Sequence, residues 1–297
     1  MKRIALITDG WKNFFLYAWP DGVLLRMNEY DVDFTLYQYS CHGNWSTEKL
    51  HNQGEYNIYN MPNLKDFDGI IFECNNIEDD EVINHVLNLI RESGVPAVSV
   101  GKAFDGLYYV GGEEKKPIET MIKHMYEKHG ARSFVYAGGR KEHFGNQCGV
   151  NAYLSSLKQY GLNSDDNPVI YGEFDFINGM TIFENYINSG RKLPDVFICA
   201  CDNIAAGLCT QAERMGYAVP RDFKVTGFDN LDKAAYFEPQ ITTAEHNRGH
   251  ITKKAAEVLI NIWEGNQVGS HNYVDAECIF AESYGCDNNG RVNYRRY

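Results

Sequence analysis

Short apolar runs alternate with longer amphipathic stretches along almost the whole chain. Ile4–Ile7, Phe34–Tyr37, Gly69–Phe72 and Ala97–Val100 have the length and β-branched or aromatic character of buried strands. Between them, apolar positions recurring every three to four residues predict helices at Asn13–Asn28 and Asp80–Glu92. The scheme then repeats. Strands are expected at Ser133–Ala137, Pro168–Tyr171, Asp195–Ala200 and Phe223–Gly227, and helices at Pro117–Lys128, Gly145–Tyr160, Phe176–Ser189 and Asn203–Met215. Ser93-Gly94-Val95-Pro96 and His129-Gly130-Ala131 read as helix stops followed by strand entry, and Gly161 and Gly216 also sit just past helices.

Repeated strand–helix units demand parallel sheets with helices on both faces. A break near Ala103–Tyr109 separates two such runs, so the expected fold is α/β with two Rossmann-like parallel-sheet lobes. After Ile241–Thr243 come an amphipathic helix, Gly249–Trp263, and short strands near Tyr273–Asp275 and Cys278–Ala281, which suit a chain crossing back through a multi-strand hinge. The expected division is 1–106 with 244–266 as the first lobe, 107–243 with 267–286 as the second, and 287–297 as a polar linker. Open parallel sheets bind ligands beyond the carboxyl ends of their strands, so two such edges facing one another predict a cleft.

Composition narrows the partners. Acids outnumber bases 40 to 28, for a formal charge of −12. Nucleic-acid binding rests on lysine and arginine, so this segment is not expected to touch nucleic acid; Arg291, Arg295 and Arg296 form its only basic cluster. The apolar run after Met1-Lys2-Arg3 is too short for a secretory signal, and no stretch reaches membrane-span length. The eight scattered cysteines then suggest reduced thiols and a cytoplasmic location.

Catalytic and cofactor patterns are not found. The chain holds no nucleophile elbow, P-loop or HExxH, and the glycine pairs Gly111-Gly112 and Gly138-Gly139 lack the GxGxxG spacing. Cys199 and Cys201 share a strand face without a matching second pair, and His250 lies one helical turn from His246 without a carboxylate at ligand spacing. Neither a metal nor a cofactor is expected, and the chain reads as a binding module rather than an enzyme.

Several segments resemble the effector domains of the lactose/galactose-repressor family, which have the periplasmic-binding-protein type I fold. Asp195–Leu208 resembles that family's apolar strand, Ala-Asn-Asp and Met-Ala-x-Gly. Gly216–Asn230 is similar to its Gly-x-x-Val-Pro-x-Asp-Val-x-Val-x-Gly-Phe-Asp-Asn, and Ile241-Thr242-Thr243, the Ala255-Ala256 helix and Glu282-Ser283 follow in order. The resemblance spans Arg3 to Cys286 and implies ligand contacts. Asp9, Trp11 and Phe14 look like the loop after the first strand, with Trp11 either stacking on a sugar face or stapling the next helix. Glu73 and Asn75 end the third strand at the cleft edge, and Asn146 matches a ligand-facing helix start. Phe174 corresponds to an aromatic wall, Cys201 replaces a usual asparagine, Asp229 is the acid after Gly227-Phe228, and His246 falls at a hinge crossing. Asp202 is expected as a helix N-cap.

The resemblance implies a ligand-sensing domain that binds a small, polar, sugar-like molecule between two lobes and signals by closure to an attached output domain. Gly54–Ile71 looks like the variant found ahead of GGDEF diguanylate cyclase domains, with the tail from Asp287 as a linker. The alternatives are the effector domain of a DNA-binding transcriptional repressor lacking its helix-turn-helix, and a transporter solute-binding protein. A homodimer is expected, as is usual for such sensors.

Overall fold

The computed structural model describes residues 1–9, 13–41, 48–75, 77, 79–113, 115–245 and 248–286, with the side chains of residues 13–16 and 144 left aside. In chain order its strands are β1 (Lys2–Asp9), β2 (Phe34–Cys41), β3 (Gly69–Glu73), β4 (Ala97–Val100), β5 (Tyr108–Gly112), β6 (Phe134–Ala137), β7 (Val169–Ile170), β8 (Val196–Cys199), β9 (Lys224–Thr226), β10 (Thr243–Glu245), β11 (His271–Val274) and β12 (Glu277–Ile279). The α-helices are α1 (Asn13–Glu29), α2 (Lys49–Tyr56), α3 (Asp80–Ser93), α4 (Lys115–Lys128), α5 (Phe144–Gln159), α6 (Phe176–Asn188), α7 (Asp202–Arg214), α8 (Asp232–Tyr236) and α9 (Arg248–Trp263).

The chain forms two compact units, residues 1–112 with 247–275 and residues 113–246 with 276–297. The first holds a six-stranded parallel sheet in the order β11-β5-β4-β3-β1-β2. Side chains alternate across a strand, so β1 supplies two cores at once. Ile4 and Leu6 pack with Val98, Val100, Trp19 of α1 and Leu259 of α9, while Ala5 and Ile7 pack with Ile70, Phe72 and Ile83, Val86 and Ile90 of α3. Helix α3 starts where the Asp79 carboxylate accepts from the N–H groups of Glu81 and Val82. It stops at Gly94, whose φ of 67° suits a residue without a side chain.

The second unit holds a four-stranded parallel sheet in the order β7-β6-β8-β9, and β10 pairs antiparallel with β12. Val135, Ala137, Phe197 and Cys199 face α6 and α7; Phe134, Tyr136, Val196 and Ile198 face α4 and α5. The Glu282-Ser283 pair has a physical reason for its place here. The fully buried Ser283 hydroxyl accepts from the Thr242 N–H at 2.8 Å and donates to the Val225 carbonyl at 2.7 Å, fastening the C-terminal segment to β9.

Three boundaries move relative to the sequence reading. Tyr108–Gly112 is not the start of the second lobe but a strand of the first sheet, hydrogen-bonded to β4. Residues 267–275 also belong to the first unit, because β11 pairs in parallel with β5 from His271↔Tyr109 to Val274↔Gly112. Residues 244 and 245 lie in the second unit, held by the pairing of β10 with β12.

Candidate functional site

At the carboxyl edge of the six-stranded sheet, Asp9 ends β1 and Glu73 ends β3, and both side chains are buried. One Glu73 carboxyl oxygen accepts from the Asn75 N–H at 2.9 Å. The other meets no donor among the described residues, and the neighbouring acid is Asp9. Two carboxyls can bond only through a shared proton. Burial, and next the Asp9 charge, hold the Glu73 carboxyl well above the usual glutamate range, against the opposing pull of the Asn75 N–H and Arg248. Asn75 is half-buried and packs against Gly101, where an added Cβ would fall 2.2 Å from its amide nitrogen.

This arrangement fixes a pH dependence. A glutamate whose native pKa is raised stabilises the fold fully below its ordinary value near 4.5, and that contribution is lost as pH rises through the native value. Glu73→Gln keeps the shape without the proton. Thermal melts from pH 5 to pH 9 should therefore show the wild type falling progressively behind the variant with rising pH. Parallel curves would mean that Glu73 is already ionised.

At the carboxyl edge of the four-stranded sheet, four loops converge, one after each strand. After β6, Gly138 and Gly139 are buried and Arg140 is exposed. After β7 come Tyr171, Glu173 and Phe174; the Arg140 guanidinium meets the Glu173 carboxylate at 2.5 Å. The Phe174 ring lies over Gly139, where any side chain would collide with it, and meets His143 edge-on at 4.7 Å between ring centres. After β8, the Cys201 thiol lies 3.8 Å from the Phe174 carbonyl. Burial, and then the nearby Asp229 charge, push that thiol's pKa up, so it is a neutral wall of the site rather than a nucleophile.

After β9, Asp229 and Asn230 take φ values of 93° and 47°, a region that non-glycine residues seldom occupy. Strand β10 holds them there. The Asp229 N–H donates to the Ala244 carbonyl at 2.8 Å, and the Asn230 N–H to the Thr243 hydroxyl at 3.1 Å. The Asp229 side chain is half-buried.

Two sequence expectations are reassigned. Asn146 is buried, and its amide is spent inside the protein: its oxygen accepts from the Gly139 N–H at 3.1 Å, and its nitrogen donates to the Arg140 carbonyl at 3.1 Å. It holds the glycine loop. Asp202 is not the N-cap of α7; Cys201 occupies that position and Asp202 is the first helical residue. The Asp202 carboxylate instead accepts from the Leu231 N–H at 2.7 Å, tying the loop after β9 to the start of α7. Trp11, the Phe14 side chain and His246 lie outside the described residues.

Arg140 and Glu173 were missed in the sequence. The available signal was a cation directly after two glycines at a strand end, but that glycine pair was weighed only as a nucleotide fingerprint. The cluster of His124, His129 and Cys286 was missed too, because its members lie far apart in the chain.

Comparison with known proteins adds to this geometry. Residues 122–283 match the periplasmic binding protein-like domain family. The chain is similar to the HTH-type transcriptional repressor CytR of Escherichia coli strain K12, 30% identical over 135 residues, 45% of this chain and 39% of that protein. The match thus spans about two fifths of the relative's length. Among solved structures, it is similar to the lac repressor dimer bound to operator and the anti-inducer ONPF, with a TM-score of 0.74 at 13% identity, covering 95% of this chain and 93% of that one. It is also similar to a periplasmic binding protein/LacI transcriptional regulator from Alkaliphilus metalliredigens complexed with D-xylulofuranose, with a TM-score of 0.69 at 18% identity, covering 95% and 99%. At these identities the structural likeness establishes the fold. No α-helix among the described residues is long and apolar enough to cross a membrane.

Proposed function

The chain belongs to the family of periplasmic binding protein-like domains, and from that premise we propose that it is the ligand-sensing effector portion of a cytoplasmic transcriptional repressor. The observation that carries the reading is the Asp229-Asn230 turn. Backbone strain persists where the surroundings over-determine it, and here two bonds from β10 hold a half-buried carboxylate at the edge where parallel sheets take their ligands. The Phe174 ring supplies an apolar face on the loop after β7, at the same sheet edge, and Arg140 and Glu173 supply a donor and an acceptor. A flat apolar face with carboxylates around it suits a sugar-like polyol, the class to which the D-xylulofuranose bound by the Alkaliphilus relative belongs.

The likeness to CytR and to the lac repressor favours the repressor reading over an output domain of the GGDEF type. DNA contact then belongs to another part of the protein, in keeping with the net charge of −12 here, and the working form is a dimer like the lac repressor. The ligand acts by binding one state of the effector domain more tightly than another; equal affinity for both would transmit nothing. Binding without turnover is the proposed chemistry.

A calorimetric and thermal-shift panel of pentoses, hexoses, disaccharides and nucleosides tests this. At least one compound should bind, and Asp229→Ala should weaken it roughly 10–100-fold, the worth of a hydrogen bond to a charged group. Unchanged affinity in Asp229→Ala would remove the site assignment, and silence across the panel would remove the ligand class.

A further inference from the structure

In the second unit, three metal-ligating side chains meet. His124 lies in the last turns of α4, His129 just beyond it, and Cys286 on the segment after β12. All three are half-buried, and their ligand atoms lie within 4.8 Å of one another. The Cys286 Sγ is 3.4 Å from His124 Nε2 and 3.5 Å from His129 Nε2. From this geometry we propose that His124, His129 and Cys286 form a binding site for a zinc-like divalent transition metal.

The distances carry the argument. With zinc–sulfur near 2.3 Å and zinc–nitrogen near 2.0–2.1 Å, the sulfur–nitrogen edge of a tetrahedron is about 3.6 Å. Both observed sulfur–nitrogen separations fall close to that edge. A thiolate with two imidazoles selects zinc and its neighbours over magnesium or calcium, which take oxygen ligands.

The rings are held for the task. His124 stacks on Phe280 at 4.8 Å and 27°, and His129 stands edge-on to Tyr284 at 6.0 Å. Burial is the first cause that lowers both histidine pKa values, aided by Lys128 for His124 and by His124 and Lys224 for His129. The same lysines oppose an incoming cation, and the Cys286 thiolate has to offset them. Three protein ligands leave one tetrahedral position open. Cys286 also lines a cavity of about 650 Å³ with Val219, Pro239 and Glu282.

Metal binding would join the end of α4 to the C-terminal segment, which the sequence alone leaves 157 residues apart from His129. The test uses the whole chain, stripped with a chelator and titrated with Co²⁺ and Zn²⁺. One equivalent of Co²⁺ should bind with a sulfur-to-cobalt charge-transfer band and tetrahedral visible bands, displaced by Zn²⁺. Cys286→Ser should abolish the charge-transfer band. His124→Asn and His129→Asn each remove a direct ligand and should weaken binding by at least about a hundred-fold, more than the loss of a group that only orients a ligand. Metal-free melts of each variant show whether it is folded, and Cys148→Ser on α5 should leave the spectrum unchanged. A wild-type chain that takes up no Co²⁺, or a folded Cys286→Ser with the full wild-type spectrum, overturns the proposal.

Discussion

Gly207→Ala should lower the stability of the second unit by about 3 kcal/mol, the upper part of the range for overpacking a tight contact. Helix propensity alone argues the opposite, because alanine in place of an interior helix glycine ordinarily gains about 1 kcal/mol. Packing decides. Helices α6 and α7 cross so closely that a methyl group on Gly207 would lie 1.9 Å from the Phe176 carbonyl oxygen, and one on Gly179 would lie 2.1 Å from that of Ile204. Backbone carbonyls cannot rotate away as a side-chain tip can, so the helices must separate. Separation would loosen Ile182, Phe183, Ile204 and Leu208 from the strands beneath them. For a unit of this size the melting temperature should fall by roughly 6–12 °C. Gly54→Ala is the matched control: it lies in α2, no described atom is within 4 Å of the added methyl, and it should gain up to about 1 kcal/mol. A Gly207→Ala melt at or above the wild type would contradict the helix crossing.

That pair of glycines shows what a single sequence reveals. The alternation of strands and helices was legible because period-two and period-3.6 patterns survive burial: Ala97–Val100 is the observed β4 without change, and Asp80–Glu92 ends one residue short of α3. The lobe boundary was not legible at Tyr108–Gly112, since Tyr-Tyr-Val-Gly-Gly carries two glycines and abuts the long-range pairing with β11 that makes it a strand. Which strand joins which sheet depends on partners 162 residues away, as His271 is from Tyr109, and no local pattern records them. The candidate site divides in the same way. Motif order placed Phe174, Cys201 and Asp229 on the loops of one sheet edge, where the structure finds them. It did not show that the Asn146 amide would be consumed by the Gly139 loop, because that bond depends on how α5 begins.

Asp202 is the instance with the largest consequence. Its side chain is fully buried, and burial above all holds its carboxyl well above the usual aspartate range, with the Asp229 charge adding to the shift and the Thr243 hydroxyl and Leu231 N–H opposing it. One carboxyl oxygen holds the Leu231 N–H; the other meets no donor among the described residues and sits where a methyl group on Gly227 would lie 2.1 Å away. Asp202→Ala leaves the Leu231 N–H without its acceptor and opens a small cavity, which should cost about 3 kcal/mol and loosen the turn that carries Asp229. Asp202→Asn retains the acceptor and adds donors, so near neutral pH it should melt close to the wild type or above it. The sign follows from the raised pKa. Protonated Asp202 contributes fully below its ordinary value of 3.8, and that contribution is lost as pH rises through the native value. The gap between Asp202→Asn and the wild type should therefore widen in favour of asparagine with rising pH. Melts of the three proteins across that range check both statements: an alanine variant as stable as the wild type, or a gap that narrows with pH, would show that the carboxyl neither holds the loop nor keeps its proton.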